Sequence, residues 1–287
     1  MEIRKVTLDI TLKTDKPVNL GVWQGAKIRS ALISAIARMY CDSLRYGQCD
    51  NCRIETCMNK YLFYFKQDRS ARMASNPIII DIRFNEDMII SNEISFKIHV
   101  FEPAIDYIED IIEVLERGVY LGSPSVRFKA DNGSINQTEY SFNLADLDEV
   151  DDSKSDTIIE INIDTPMLTN SLSGVTPQQI IKNCTTRITS MVNTVGLDYT
   201  VQHEIVNEAA KSIKLVKADL KIAENGKMST RKNKYSKMVG YTGKLVISGD
   251  FRNIYPYLKL ASNLNIGKQC SMGFGRISIG EDKHDGE

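Results

Sequence analysis

The segment NIGKQCSMGFGRISIG, residues 265–280, sets Gly267, Gly273, Gly275 and Gly280 beside two cations, Lys268 and Arg276, and runs into an apolar strand. Glycine lets backbone approach a ligand closely and leaves N–H groups to face an anion, so a phosphate suits this chemistry. A plain hairpin turn is the competing reading, because glycine-rich turns are common. A second cationic run, KMSTRKNKYSK at 227–237, carries Lys227, Arg231, Lys232, Lys234 and Lys237 with no acid among them. A third cluster is of thiols: Cys41, Cys49, Cys52 and Cys57, with one C-x-x-C pair. Four thiolates can hold a structural zinc ion or an iron–sulfur cluster. Four reduced cysteines, some buried as small hydrophobes, are the alternative. Cys184 falls on a helix's apolar stripe and Cys270 within the glycine-rich segment, so neither reads as a ligand.

These groups sit in a chain of ordinary globular composition. Of 287 residues, 42% are hydrophobic and 25% charged, with a formal net charge of −1. That balance argues against wholesale coating of nucleic acid but allows a local basic groove, provided the acids are segregated elsewhere. They are: LADLDEVDDSKSD (144–156) contains Asp146, Asp148, Glu149, Asp151, Asp152 and Asp156 against a single lysine. It reads as a solvated acidic linker over 146–156, between one domain at 1–145 and another at 157–287. No apolar run is long enough to span a bilayer, and MEIRKVTLDI starts into a strand rather than a signal peptide. A cytoplasmic protein with reduced cysteines and no membrane contact is expected.

The two halves share one order of elements. In the first, VTLDITL alternates as a strand buried on one face. A helix over Ala26–Tyr40 follows, then strands IIIDIRF and ISFKIHVF, a helix from Pro103 to Gly118, and the strand SVRFKA. The second half opens with TIIEINI. Thr176 and Pro177 start a helix that ends near Gly196. An extra helix near 199–215, strands ADLKIA and YTGKLVIS, a helix interrupted by Pro256 and the strand RISI complete it. Two βαββαβ units predict an α+β chain of tandem ferredoxin-like domains, the first carrying a cysteine-containing insertion at 41–65.

Four stretches resemble the CRISPR repeat-processing endoribonucleases of the repeat-associated (RAMP) superfamily. WQGAKIRSALISAIARMYC resembles the family's first helix behind its W/L-x-G turn, and CDNCRIETCMNKYLFYF a cysteine-containing segment of one branch, here slightly longer. INIDTPMLTN with CTTRITSMVNTVG is similar to the strand, T-P turn and arginine-bearing helix that open the second domain. STRKNKYSKMVGYTGKLVISGD and LNIGKQCSMGFGRISI look like the family's late strand and terminal glycine-rich loop. The resemblance implies a binder and cutter of CRISPR repeat RNA (pre-crRNA) that uses no metal. The ribose 2′-hydroxyl would attack the adjacent phosphate, leaving a 2′,3′-cyclic phosphate and a 5′-hydroxyl. That chemistry needs a base, an acid and cations for the phosphorane. Any metal on Cys41, Cys49, Cys52 and Cys57 would then be structural.

The same resemblance assigns RNA contact to Lys27 and Arg29 on the first helix, to Arg231, Lys232, Lys234 and Lys237, and to Gly267, Lys268, Gly273, Gly275 and Arg276. The chain departs from the family where many members place a histidine, since residues 21–65 contain none. Of His99, His203 and His284, the first alternates onto a polar strand face beside Lys97 and reads as surface, and the last lies in the tail. His203, Tyr40 and Lys60 remain as catalytic candidates, each with a bland structural alternative. A non-catalytic RAMP subunit that binds guide RNA among other CRISPR effector subunits, and a metal-stapled interaction protein without RNA, are the competing functions. A homodimer is an open expectation.

Overall fold

The computed structural model describes residues 1–41, 57–64, 74–84, 89–168, 175–229 and 234–281. The first half runs β1 (Glu2–Gly21), α1 (Gln24–Tyr40), α2 (Met58–Phe63), β2 (Ile78–Asp81), β3 (Ile89–Phe101), α3 (Ile108–Arg117), β4 (Val119–Leu121) and β5 (Val126–Asn143). The second runs β6 (Thr157–Leu168), α4 (Pro177–Val195), α5 (His203–Ala210), β7 (Lys214–Ser229), β8 (Lys234–Gly249), α6 (Tyr255–Ala261) and β9 (Ile277–Glu281). The antiparallel sheets are ordered β2-β3-β1-β5-β4 and β7-β8-β6-β9. Each half is therefore a ferredoxin-like βαββαβ unit with added pieces.

Alternation builds both cores. Val6, Leu8, Ile10 and Leu12 of β1 pack against Ile28, Leu32 and Ile36 of α1 and Ile111 and Leu115 of α3. Ile159, Ile161 and Ile163 of β6 meet Ile180, Cys184, Ile188 and Met191 of α4. The second core does not stop at its own half. Ile3, Ile79, Phe101, Leu144 and Leu147 belong to it, so the helix-free face of the first sheet is covered at one end. Ile78, Ile79 and Ile80 are consequently all fully buried, which explains an unbroken apolar run in a short strand. Within the acidic segment, Leu144 and Leu147 are buried while Asp146 and Glu149 are exposed.

The helix signals behave as their chemistry requires. Thr176 and Gln179 form a reciprocal capping box, Pro177 fills the first turn, and Gly196 closes α4 in the left-handed region at φ 78°. Three expectations need correction. Pro256 lies in the first turn of α6 rather than interrupting it, because the first turn needs no N–H there. The helix expected near 199–215 is confined to His203–Ala210, since Lys214 already pairs with Ser248 in β7. His99 is buried rather than exposed: its strand face is the one the second half covers, and its side chain is only 14% accessible.

Candidate RNA-binding and active site

Trp23 ends the turn between β1 and α1, and the motif stretches meet around it. Its ring lies 4.3 Å from that of Phe274 and 5.5 Å from that of Phe84. Leu168 and Met272 complete this small buried cluster, with Ala26 and Met238 packed on its flank. The start of α1, the end of β6, the base of the β7–β8 hairpin and the glycine-rich loop thus share one apolar hub. Each aromatic contact adds about 0.5–1.5 kcal/mol beyond its burial. Gly25 is required here, as a Cβ would stand 2.2 Å from the Met272 carbonyl oxygen.

The loop itself is held from within. Thr165 donates to the Gly273 carbonyl at 2.7 Å and accepts from the Arg276 N–H at 2.8 Å. Asn265, buried with φ 57°, donates to the Phe274 carbonyl at 3.1 Å. Gly273 and Gly275 are buried, not presented to a ligand. A Cβ on Gly273 would lie 2.3 Å from the Ile80 oxygen, and one on Gly275 would lie 1.7 Å from the Ile266 oxygen. The close backbone approach read from the sequence exists, but the partner backbone is the protein's own. The exposed rim of the loop is Lys268 and Gln269, with Gly267 half-buried beside them and Lys268 bridged to Leu168.

Among the other cations, Lys27 is exposed on the first turn of α1 and donates to the Leu20 carbonyl at 2.8 Å. Partial burial lowers its pKa. Arg29 has a partner within the protein. Its guanidinium donates to the Phe63 carbonyl at 2.8 Å and lies 5.2 Å from the Phe63 ring, so it ties α2 to α1. Arg276 also has partners within the protein: Nη1 contacts Asp81 at 2.6 Å and Nε lies 3.6 Å from Asp164, a brace between the halves. Lys227 pairs with Ser236, and Ser229 with Lys234, in a hairpin whose strands also carry Lys237. Arg231 and Lys232 lie outside the described residues.

The catalytic candidates lie on three different helices, two of them with hydrogen-bond partners of their own. Tyr40, at the end of α1, donates to Glu113 of α3 at 2.7 Å. Burial and that bond push its phenol up, so it holds its proton. Lys60 sits on α2, packed against α1, and is half-buried. His203 begins α5, in the other half, with Nε2 2.8 Å from the Thr189 hydroxyl. Of the thiols, Cys41 and Cys57 flank the segment that carries Cys49 and Cys52, which lie outside the described residues. Among the described residues, none group as a metal site.

A polar cluster beneath the hub escaped the sequence reading. His99 Nδ1 lies 2.9 Å from the Thr7 hydroxyl and its Nε2 lies 3.5 Å from Asp81. Burial would raise the Asp81 carboxyl, but His99 and Arg276 outweigh it and hold it below the usual range. Burial likewise lowers the His99 pKa against the pull of Asp81, which leaves the imidazole neutral near pH 7. Lys5, only 5% accessible, donates to Asn263 at 3.1 Å and lies 4.9 Å from the Tyr140 ring. Burial brings its pKa down to about 8. The one signal was alternation, which puts Lys5 and Thr7 opposite the apolar residues of β1.

Two fused ferredoxin-like units, joined by a glycine-rich loop against the first helix, define a tandem RAMP architecture. The comparisons give it a family. Residues 161–277 match the family model described as CRISPR-associated endoribonuclease Cas6, and residues 3–161 match a model described as an N-terminal domain. A solved Cas6 product complex superposes with a TM-score of 0.60 at 11% identity, covering 96% of this chain and 99% of that one. Thermus thermophilus Cas6 gives 0.56 at 8%, covering 97% and 99%. A partial Cas6-RT-Cas1–Cas2 complex gives 0.59 at 11%, covering 98% of this chain and 47% of that one. No curated protein matches the sequence. The second half of the chain is thus a Cas6-family domain, within a fold that the whole chain shares with solved Cas6 proteins.

Two outcomes follow from this geometry. Gly275→Val places a branched side chain at φ 73° against backbone and should cost about 3 kcal/mol or more of stability. Thermal melting checks it, and an unchanged melt would return the glycine to a ligand role. Lys5 gives a pH signature. Its folded pKa is lowered, so the unfolded chain binds more protons above about pH 8 and stability rises with pH up to the ordinary lysine value. The stability difference between Lys5→Met and the parent, from urea midpoints at about pH 7 and about pH 10, should therefore shrink at the higher pH. A constant difference would contradict the burial of a charged Lys5.

Proposed function

We propose that this protein binds CRISPR repeat RNA and cleaves it without a metal, by attack of the 2′-hydroxyl on its own phosphate. The observation that carries this reading is the hub around Trp23, which brings the first helix, the glycine-rich loop and the basic hairpin together at one junction in a chain with a Cas6-family domain. Lys27 and Lys268 sit on the exposed side of that junction, where they would meet backbone phosphates and the developing phosphorane charge. The hairpin run Lys227–Lys237 would extend the contact along the RNA. Gly267 belongs to the loop's exposed rim, whereas the buried Gly273 and Gly275 would act by shaping it.

Proton transfer is the part with two readings. Lys60, beside the first helix, and His203, on the second half, remain the proposed acid or base; Tyr40 fits poorly with its proton committed to Glu113. That dispersal, with no histidine at 21–65, favours the second reading, a non-catalytic subunit that holds guide RNA among other CRISPR proteins. Among the described residues, no helix is long and apolar enough to cross a membrane. A cytoplasmic place of work is part of the proposal.

Incubation of end-labelled repeat RNA with the protein in EDTA separates the readings. The expected result is a single cut leaving a 2′,3′-cyclic phosphate and a 5′-hydroxyl. Tight binding with intact RNA would establish the non-catalytic reading, and equal affinity for unrelated RNA would defeat both. Replacing Arg231, Lys232, Lys234 and Lys237 with alanine should weaken binding and flatten its salt dependence, by roughly one unit of log–log slope for each phosphate no longer neutralised. An unaltered salt slope would remove the hairpin from the interface.

A further inference from the structure

β7 is an edge strand of the second sheet, and it is bare over its first half. Leu215, Val216 and Ile222 are 47%, 57% and 59% accessible. A long exposed edge with apolar side chains offers unpaired N–H and C=O groups to another chain, and proteins normally cover or charge such edges. Lys217, Asp219 and Lys221 are the charges here, and their order is informative. Val216 is the extra residue of a bulge, and from Lys217 onward the pairing with β8 is regular. Ala218 and Ile222 lie opposite the buried Leu245 and Tyr241, so Ala218, Leu220 and Ile222 share the helix side. Lys217, Asp219 and Lys221 share the other face.

In an antiparallel pairing of two identical strands, opposed residues share a face, so the two-fold axis must pass through a residue. An axis at Asp219 sets Asp219 against itself and Lys217 against Lys221. An axis at Lys221 sets Lys221 against itself. An axis at Ala218 draws the bulge at Val216 into the ladder. An axis at Leu220 keeps to the regular stretch and satisfies both faces. Asp219 meets Lys221 twice, while Leu220 meets Leu220 and Ala218 meets Ile222 on the apolar side.

We propose that a second copy of this chain docks antiparallel on β7 about a two-fold axis through Leu220, merging the two four-stranded sheets into one. The charge order of the strand selects this register and rejects its neighbours. The far ends of β7, at Ser229, then point in opposite directions, each roughly 30 Å from the axis. The proposal does not depend on RNA cleavage.

Sedimentation velocity on the full chain over a concentration series tests it, using D219K, K221D and the double swap D219K/K221D. The parent should be a dimer. Each single reversal turns two attractive pairs into repulsive ones and should raise the dimer dissociation constant about tenfold or more, with the melting curve retained at these exposed sites. The double swap restores opposite charges across the axis and should restore the dimer. A parent that stays monomeric overturns the proposal. So does a dimer indifferent to both single reversals, or a double swap no better than either.

Discussion

One guanidinium fixes the path of the loop that runs between the two halves of this chain. Arg276 follows the glycine-rich loop in sequence, and its side chain reaches Asp81 on the first sheet while lying close to Asp164 on β6. The Asp81 side chain is 12% accessible, so the pair is largely withdrawn from water. Such a pair adds little over an apolar replacement, but losing one partner strands the other and costs about 3–5 kcal/mol. Its geometric consequence is larger. With Arg276 fixed, the loop before it has to run between β2 and β6, where only glycine clears the oxygens of Ile80 and Ile266.

The hub around Trp23 follows from that path. Phe274 sits between two glycines whose backbones are pinned, so its ring must project toward the turn that precedes α1. Trp23 and Phe84 close on it, and Met238 of the hairpin packs on the flank. The hairpin and the start of α1 are thereby held at one junction, through Met238 and Ala26. The acids that balance their cations are placed elsewhere or committed to partners: Asp81 and Asp164 to Arg276, Asp9 to Lys97, and Glu160 to Lys244. A chain of net charge −1 can then keep a local cationic rim.

Most of the fold was legible because its signals are local. Alternation in β1 and β6, the capping box at Thr176 and the stop at Gly196 each depend on a few adjacent residues. What was not legible depends on contacts distant in the sequence. His99 looks like a surface residue in its own strand and is buried only because the second core reaches Ile79 and Phe101. Arg29 and Arg276 look like phosphate ligands by type, yet a carbonyl at Phe63 and a carboxylate at Asp81 claim them. Gly273 and Gly275 announce a close approach without saying to what. A residue's type states which contacts it can make, and only the fold states whether the protein has already made them.

That distinction bears on how repeat RNA would be read. A loop whose Gly273 and Gly275 are buried has little backbone freedom there, so it would offer RNA a fixed rim of Lys268 and Gln269. Contacts from such a rim to phosphates set register and orientation and carry no sequence information. Selectivity for a repeat must then arise from the shape of the RNA or from base contacts made by other elements. The β7–β8 hairpin is suited to that task, because it extends beyond the hub that anchors its base at Met238. Rigid placement at the junction and reach at the hairpin are complementary demands. A single structure meets both by anchoring the loop from two sides and the hairpin from one.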